Sequence, residues 1–393
     1  SYIIFVVRDD SRAAELLVQL PVTTYQAYNF WGGKSAYDFG SCNPDDAVDP
    51  VPCTFPWGSD LGSHADKVSF DRPYAASTNP AAAGGMGAGE YLTNVQPVAE
   101  FYPISSDGWD YNTVRFLERE GYDVTYSTDL DTHLASVGDL TRHEAILSIG
   151  HDEYWSWEMR DHVEAAIAAG TDVAFMGANI SYWQIRFEAN TVTGTPMRTM
   201  VIYKEYADDP YYLDGDPSNN YLISTLFREY LVDRPEEAMI GIRYRTDPFN
   251  HDITVADASH WAFAGTGLSN GDKLEGLLGY EIDTLEAESP SNIEVLGASL
   301  VQKIDDTPIE VALDKMEPYL SIETASMRQE RLCYSLGVAE WLYAAGVAMR
   351  PDRADYTLVD RDGSQSTFTI GAVHYLLCAY WMMAQKVDDD ITS

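Results

Sequence analysis

The sequence contains little positive charge. Its 393 residues include 25 lysines and arginines against 62 aspartates and glutamates, a formal net charge of −37 at pH 7. Because such a surface repels phosphate groups, nucleic acid and anionic membranes are poor partners. The acidic residues are spread along the whole chain, and added salt shortens the range of their mutual repulsion. We therefore expect a halophilic source, with an ordinary acidic enzyme as the alternative.

The chain also lacks a long apolar run. No stretch reaches about 18 uninterrupted apolar residues, roughly the length that crosses a bilayer, so we expect no membrane span. The opening segment SYIIFVVRDD enters an apolar run without a basic region or a small-residue cleavage motif. No signal peptide is therefore visible, unless one was removed before Ser1.

Cysteine is scarce as well. The four cysteines include no C-x-x-C pair, which argues against a thiolate zinc site. Cys42 and Cys53 flank a short, polar, proline-rich loop that a disulfide could close. Such a disulfide would indicate an oxidising, extracellular compartment, whereas without it a cytoplasmic location is equally open.

Two common catalytic signatures are absent. No G-x-S-x-G segment is present, which removes the usual serine hydrolase arrangement. The glycine-rich segment GGMGAG follows no predicted strand and precedes no G-K-[ST], so it is not a phosphate-binding loop.

What is present is a core-forming composition and a regular alternation of elements. Hydrophobic residues make up 45% of the chain and aromatic residues 12%, enough for a sizeable core. The pattern predicts helix 110–121, strands 122–129 and 143–150, helix 157–170 with Ser156 as its N-cap, and strand 172–179. This alternation predicts an α/β fold, a mostly parallel sheet with helices on both faces.

The remaining sequence is less regular. We predict a strand over 2–7, a helix over 11–17, an extended segment over 20–28, and helices over 326–350 and 367–385. The region from about 29 to 103 is rich in glycine, proline, serine and aspartate, and loops of that length are usually functional. Without a linker or an internal repeat, the chain is predicted to form a single domain over residues 1–393.

Polar residues follow the two strands that come before and after the second predicted helix. His151 and Glu153 stand two residues apart, so an extended backbone would direct both to one side, where an imidazole and a carboxylate begin a metal site. Alternatively, Asp152 and Glu153 cap the following helix. Asn179 follows the next strand and either polarises a carbonyl group or is a turn residue with a left-handed backbone.

Several long segments resemble, in the same order, the catalytic region of the N,N-dimethylformamidase large (beta) subunit family. They are TTYQAYNFWGGKSAYDFGS, VSFDRPYA, TVRFLEREGYDVTYSTDLDTH, SIGHDEYWSWEMRD, GANISYWQIRFE, YKEYADDP and AGTGLSNGDKLEGLLGYEID. The resemblance implies a three-layer α/β/α sandwich similar to glutamine amidotransferase-like folds. It also implies a mononuclear non-haem iron held by tyrosine, histidine and glutamate.

The matching motifs place these roles on residues of this chain. The resemblance assigns the metal ligands to Tyr74, His151 and Glu153, which supplies the third ligand that the H-x-E pattern needs. Hard oxygen donors of this kind favour ferric iron, with zinc as the alternative. The implied catalytic residues are Asn179, Lys204 and Glu281.

The expected function is iron-dependent hydrolysis of the C–N bond of small amides such as N,N-dimethylformamide, giving a carboxylic acid and an amine. The alternatives are a non-enzymatic, self-assembling protein that keeps the fold, and a metal-dependent hydrolase of a larger amide. Within these 393 residues we expect neither the family's N-terminal lectin-like domain nor a counterpart of its small subunit, and the Cys42–Cys53 loop resembles an insertion before the Tyr74 motif. We expect a homo-oligomer.

Overall fold

The computed structural model describes residues 3–38, 41, 63–74, 109–177, 179–246, 251–278, 282–302, 308–316, 353–359 and 365–371. The helices are α1 (Val22–Tyr28), α2 (Trp109–Glu120), α3 (Asp129–Leu134), α4 (Val137–Leu140), α5 (Trp157–Ala168), α6 (Pro210–Leu213) and α7 (Glu237–Ile240). The strands are β1 (Leu16–Leu20), β2 (Lys67–Ser69), β3 (Val124–Thr128), β4 (Ala145–Ile149), β5 (Tyr154–Ser156), β6 (Asp172–Met176), β7 (Trp183–Glu188), β8 (Thr199–Val201), β9 (Arg243–Thr246), β10 (His251–Val255), β11 (Lys273–Leu278), β12 (Ile282–Thr284), β13 (Ile293–Gln302), β14 (Pro308–Met316), β15 (Arg353–Val359) and β16 (Gln365–Gly371).

A four-stranded sheet in the order β3-β1-β4-β6 organises the first half of the chain. All three of its strand pairs are parallel, and its central strands read LLVQL and AILSI. Such near-continuous apolar runs belong in strands that are covered on both faces. The predicted α/β class with a parallel sheet is confirmed.

The helix α5 begins and ends where the sequence predicts. Ser156 is its N-cap, and its hydroxyl accepts a hydrogen bond from the backbone N–H of Met159. Gly170 follows with φ +100°, a left-handed conformation that glycine adopts without strain. The predictions for α2, β3, β4 and β6 are confirmed in the same way.

A second sheet, β2-β8-β7-β5, continues directly from the first. Only residues 150–153 separate β4 from β5, so the chain passes from one sheet to the other within four residues. In this second sheet β5 and β7 are parallel, whereas β8 runs antiparallel to both of its neighbours. The short connection after β4 therefore lies where the two sheets meet.

The later strands form antiparallel pairs. The sheet β11-β10-β13-β14 is the largest group, and β9 pairs with β12 and β15 with β16. No helix in the described part of the chain combines the length and the hydrophobicity that crossing a bilayer requires. The single-domain organisation stays a prediction.

The N-terminal elements differ from the sequence prediction. Residues 3–7 form no strand, and Ile3, Phe5 and Val7 are exposed. The predicted helix over 11–17 is wrong, because the apolar run LLVQL becomes β1 by pairing with β3 and β4. The extended segment predicted over 20–28 is largely the helix α1. Short apolar runs do not distinguish strand from helix by periodicity, so tertiary pairing decides.

Near the C-terminus, residues 367–371 belong to strand β16, so the helix predicted over 367–385 does not begin at residue 367. The β-branched residues of QSTFTIG pair with β15 along its whole length. The predicted helix over 326–350 lies outside the described residues.

The charge excess predicts a response to salt. With 62 acidic residues against 25 basic ones, repulsion destabilises the folded chain at low ionic strength. We expect the unfolding temperature to rise between about 0.1 M and about 1 M KCl, as the Debye length falls from about 10 Å to about 3 Å. Differential scanning fluorimetry measures this, with sucrose as the uncharged control. A flat or falling unfolding temperature in KCl would contradict a halophilic adaptation.

Candidate active site

Two glycines bring the ends of the neighbouring strands β4 and β6 close together. Gly150 follows β4 with φ +69°, and a Cβ atom there would overlap the carboxylate of Asp110. A Cβ atom on Gly177, which follows β6, would overlap the carbonyl oxygen of Gly150. Only residues without side chains permit this approach. The polar residues beyond both strands are therefore held near each other.

Replacing Gly177 with alanine is expected to destabilise the protein and disturb this edge. The new methyl group would meet backbone, which cannot move aside as a flexible side chain would. We expect a loss of roughly 1–3 kcal/mol in the free energy of unfolding, the usual range for overpacking. Urea denaturation measures it. Gly138→Ala is the control, because the nearest atom to its Cβ would be 3.7 Å away, an ordinary contact.

Glu153 is the centre of the candidate site. Its side chain is buried, and Oε1 accepts hydrogen bonds from the hydroxyl of Tyr37 at 2.7 Å and from Nε1 of Trp183 at 3.1 Å. Oε2 accepts one from the hydroxyl of Tyr28 at 3.2 Å. Burial nevertheless raises the pKa of Glu153, against the opposing effects of Lys204 and of these three donors. A carboxylate with this many donors is held in one orientation.

Lys204 supplies the positive charge beside Glu153. Its Nζ lies 3.4 Å from the centroid of the Tyr37 ring and 5.0 Å from that of Trp183. Burial lowers its pKa to about 8, while the charge of Glu153 opposes that shift. The backbone of Lys204 is left-handed, with φ +64°. Non-glycine residues held in this conformation occur preferentially at functional sites.

His151 lies in the same short connection. Its side chain is buried, and burial lowers its pKa to about 3. The imidazole is therefore neutral at physiological pH. This is the form of histidine that binds metal ions.

Asp152, between the two predicted ligands, faces a different set of partners. Its carboxylate accepts hydrogen bonds from Nε2 of Gln19 at 2.5 Å, the hydroxyl of Ser148 at 2.7 Å and Nε1 of Trp155 at 2.8 Å. Burial raises its pKa to about 6. Because Ser156 caps α5, the alternative in which Asp152 and Glu153 cap that helix is wrong.

Asn179 adopts the left-handed backbone expected of a turn residue, with φ +58°. Its side chain is 8% exposed, and its Oδ1 has no hydrogen-bond partner among the described residues. The turn is fastened to the Glu153 segment, because the backbone N–H groups of Ser181 and Trp183 donate to the carbonyl oxygens of Asp152 and Glu153, each at 2.9 Å. A turn role alone leaves the buried amide oxygen unexplained.

Tyr74 has other neighbours. Its buried phenol has a raised pKa because of desolvation and the charge of Asp129, and it lines a cavity of about 570 Å³ together with Arg72 and Arg198. No hydrogen bond joins Tyr74 to Glu153 within the part of the chain that the structure describes. The positions of Glu281, Cys42 and Cys53 lie outside the described residues.

The phenols that contact Glu153, Tyr28 and Tyr37, were missed by the sequence reasoning, as was Trp183. They lie far from Glu153 along the chain, so no local spacing indicates them. Tyr28 and Tyr37 do fall within one of the motifs quoted for the resemblance, TTYQAYNFWGGKSAYDFGS. Reading every tyrosine in that motif as a candidate would have found them.

The donor atoms around Glu153 suit a hard metal ion. No three His, Cys, Asp or Glu side chains in the described residues cluster as a metal site requires, and the additional oxygens beside Glu153 are phenolic. A carboxylate, a neutral imidazole and phenol oxygens are donor types that iron accepts, so the chemistry of these residues is compatible with such an ion. That the site binds iron stays a prediction.

The fold and site define an α/β protein with a buried glutamate, lysine and phenol cluster beyond the carboxyl end of its parallel sheet. A family model described as "N,N-dimethylformamidase beta subunit-like, C-terminal" matches residues 1–386. The chain belongs to this family.

Two individual proteins show weaker similarity. The N,N-dimethylformamidase beta subunit of Paracoccus aminophilus is 26% identical over 118 residues, which span 28% of this chain and 15% of that protein. A ThuA-like protein from Bacteroides uniformis, known from a crystal structure, aligns over 55% of this chain and 78% of its own with 12% identity and a TM-score of 0.29. The chain thus matches only a small part of the curated relative.

Proposed function

We propose that this chain is a metal-dependent amidohydrolase that cleaves the C–N bond of small, linear amides. The single observation that carries the proposal is the buried cluster in which Glu153 accepts hydrogen bonds from Tyr28, Tyr37 and Trp183 beside Lys204. Burying two opposite charges without a direct ion pair between them lowers the stability of the folded protein. Such an arrangement is therefore better explained by a functional role than by a structural one. Membership in the dimethylformamidase-like family supports this class of reaction.

Iron is the proposed cofactor, with zinc as the alternative. Glu153, the neutral His151 and a phenol would hold it; the resemblance assigns the phenol to Tyr74, whereas the contacts of Glu153 favour Tyr37. When bound, a ferric ion supplies Lewis acidity, which polarises a carbonyl group and makes water a better nucleophile at neutral pH. The metal content of Tyr37→Phe and Tyr74→Phe separates the two assignments.

Three side chains of the protein would then stabilise the developing negative charge and transfer a proton to the leaving group. Asn179 and the Lys204 ammonium stabilise the negative charge that develops on the amide oxygen. Glu281 is proposed to move a proton to the leaving nitrogen, since an amine departs far more readily when it is protonated. Water adds to the carbonyl carbon, the C–N bond breaks, and a carboxylic acid and an amine leave.

Hydrolysis of N,N-dimethylformamide by the purified, metal-replete chain tests the reaction. We expect formate and dimethylamine to form in equal amounts, as measured by ion chromatography. After a chelator has removed the metal, we expect neither product to form. Turnover only with bulkier amides would favour the larger-substrate alternative. Stable folding with no turnover of any amide would favour the non-enzymatic alternative.

A further inference from the structure

The ammonium group of Lys204 is surrounded by three aromatic rings. Its Nζ lies 3.4 Å from the centroid of Tyr37, 5.0 Å from that of Trp183 and 5.6 Å from that of Tyr154. All three distances are within the range at which a cation is attracted to a ring face. We call these three residues the aromatic box.

The fold builds two of the walls by strand pairing. Tyr154 on β5 and Trp183 on β7 are register partners in a parallel pair, so their side chains emerge on the same face of the sheet. Tyr37 is the third wall, and its hydroxyl is 2.6 Å from that of Tyr154. Tyr154 belongs to a buried apolar cluster with Ile185, and the partly buried rings of Tyr37 and Trp183 pack against that cluster. The box is therefore built onto the core and is not a chance surface contact.

Two of the walls also bind the carboxylate of Glu153. Tyr37 donates its hydroxyl to Oε1 and presents its ring to Lys204. Trp183 donates Nε1 to the same oxygen and likewise presents its ring to Lys204. No direct ion pair joins Glu153 to Lys204 in the described residues, although the two charges influence each other. Trp183 therefore contacts both charged groups, the carboxylate through its N–H group and the ammonium through its ring.

We propose that the aromatic box is a cation-binding site whose bound cation in the wild type is the Lys204 ammonium itself, and that Trp183 is a positioning residue, which fixes this ammonium relative to the Glu153 carboxylate. The effect on turnover rests on the proposed function, whereas the cation site does not. The chemistry of the box, three ring faces beside a carboxylate, suits alkylammonium ions in general. With the lysine side chain removed, the box should accept a small alkylammonium ion in its place.

Chemical labelling of Lys204 tests the positioning role without any assay of activity. Acetylation of the folded protein is followed by peptide mass spectrometry, with the exposed Lys273 as the internal standard. Trp183→Leu removes both the ring and the N–H group, and we expect labelling of Lys204 to rise about tenfold. Trp183→Phe keeps a ring but lacks the donor, and labelling should stay within about twofold of the wild type. Equal labelling in all three proteins would overturn the positioning role.

Calorimetric titration with methylammonium chloride tests the cation site itself. We expect saturable binding to Lys204→Ala, none to the wild type, and none to the double variant Lys204→Ala/Trp183→Leu. Sodium chloride at the same ionic strength is the control. Absence of binding to a folded Lys204→Ala protein, or equal binding to the double variant, would overturn the site.

The same variants distinguish a failure of the box from a failure of the proposed function. If the wild type hydrolyses amides, methylammonium should restore part of the turnover that Lys204→Ala loses, and should restore none in the double variant. Rescue in both variants would contradict a role for Trp183. If the wild type hydrolyses no amide, binding and labelling still decide whether the cation site exists.

Discussion

Glu153→Gln is expected to abolish amide hydrolysis and strip the metal while leaving the fold intact. The glutamine amide keeps the size of the side chain but removes the negative charge that would bind iron. We expect the metal affinity to fall by more than about 10²-fold, because the loss of a group that only hydrogen-bonds to a metal ligand already lowers the affinity by about 10–100-fold. Metal analysis after gel filtration and the rate of dimethylamine release measure both effects.

The fold should tolerate this substitution. The amide oxygen can still accept from Tyr37 and Trp183, and the amide nitrogen can donate to Tyr28, because a tyrosine hydroxyl both donates and accepts. The matched control is Glu158→Gln on the neighbouring helix α5, whose side chain is 46% exposed. We expect that control to keep its metal and its turnover. If Glu153→Gln retained full turnover, Glu153 would not be part of the site.

The second large effect is expected at Asn179, and glycine is the informative substitution. Glycine adopts the φ of +58° without strain, so Asn179→Gly preserves the turn and removes only the side chain. We expect kcat to fall by roughly 10²–10³ with metal content unchanged, as for loss of one group that stabilises an oxyanion. Steady-state kinetics and metal analysis test this.

Asn179→Ala separates the two roles that the sequence left open for this residue. Alanine also removes the amide, but it opposes the left-handed backbone, so we expect an additional loss of roughly 1–2 kcal/mol in the free energy of unfolding. If Asn179 served only the turn, glycine would retain turnover and alanine would lose stability alone. Equal turnover in Asn179→Gly and the wild type would therefore remove Asn179 from the reaction.

The parallel sheet was predictable because its signals are local. Helices α2 and α5 show helical periodicity, a serine cap or a terminal glycine, and the strands between them are uniform apolar runs. The N-terminus was not predictable on these grounds. The run LLVQL becomes a strand only because β3 and β4, more than one hundred residues further on, provide its partners.

The candidate site was predictable only in part, for the same reason. In an extended segment neighbouring side chains point to opposite sides, so the sequence predicts that Asp152 and Glu153 face different surroundings. Their different hydrogen-bond partners agree with this. The phenols of Tyr28 and Tyr37 and the indole of Trp183 reach Glu153 through tertiary folding. No periodicity in the sequence encodes that convergence, and only the resemblance to a family pointed to their motifs.

The relation between bound iron and turnover tests the central claim most directly. Purified protein is depleted of metal, reloaded with iron in steps, and assayed at each step for iron content and for dimethylamine release from N,N-dimethylformamide. The account predicts that turnover rises in proportion to bound iron and stops rising near one iron per chain. Full turnover in the metal-depleted protein, or iron loading that leaves turnover unchanged, would contradict it.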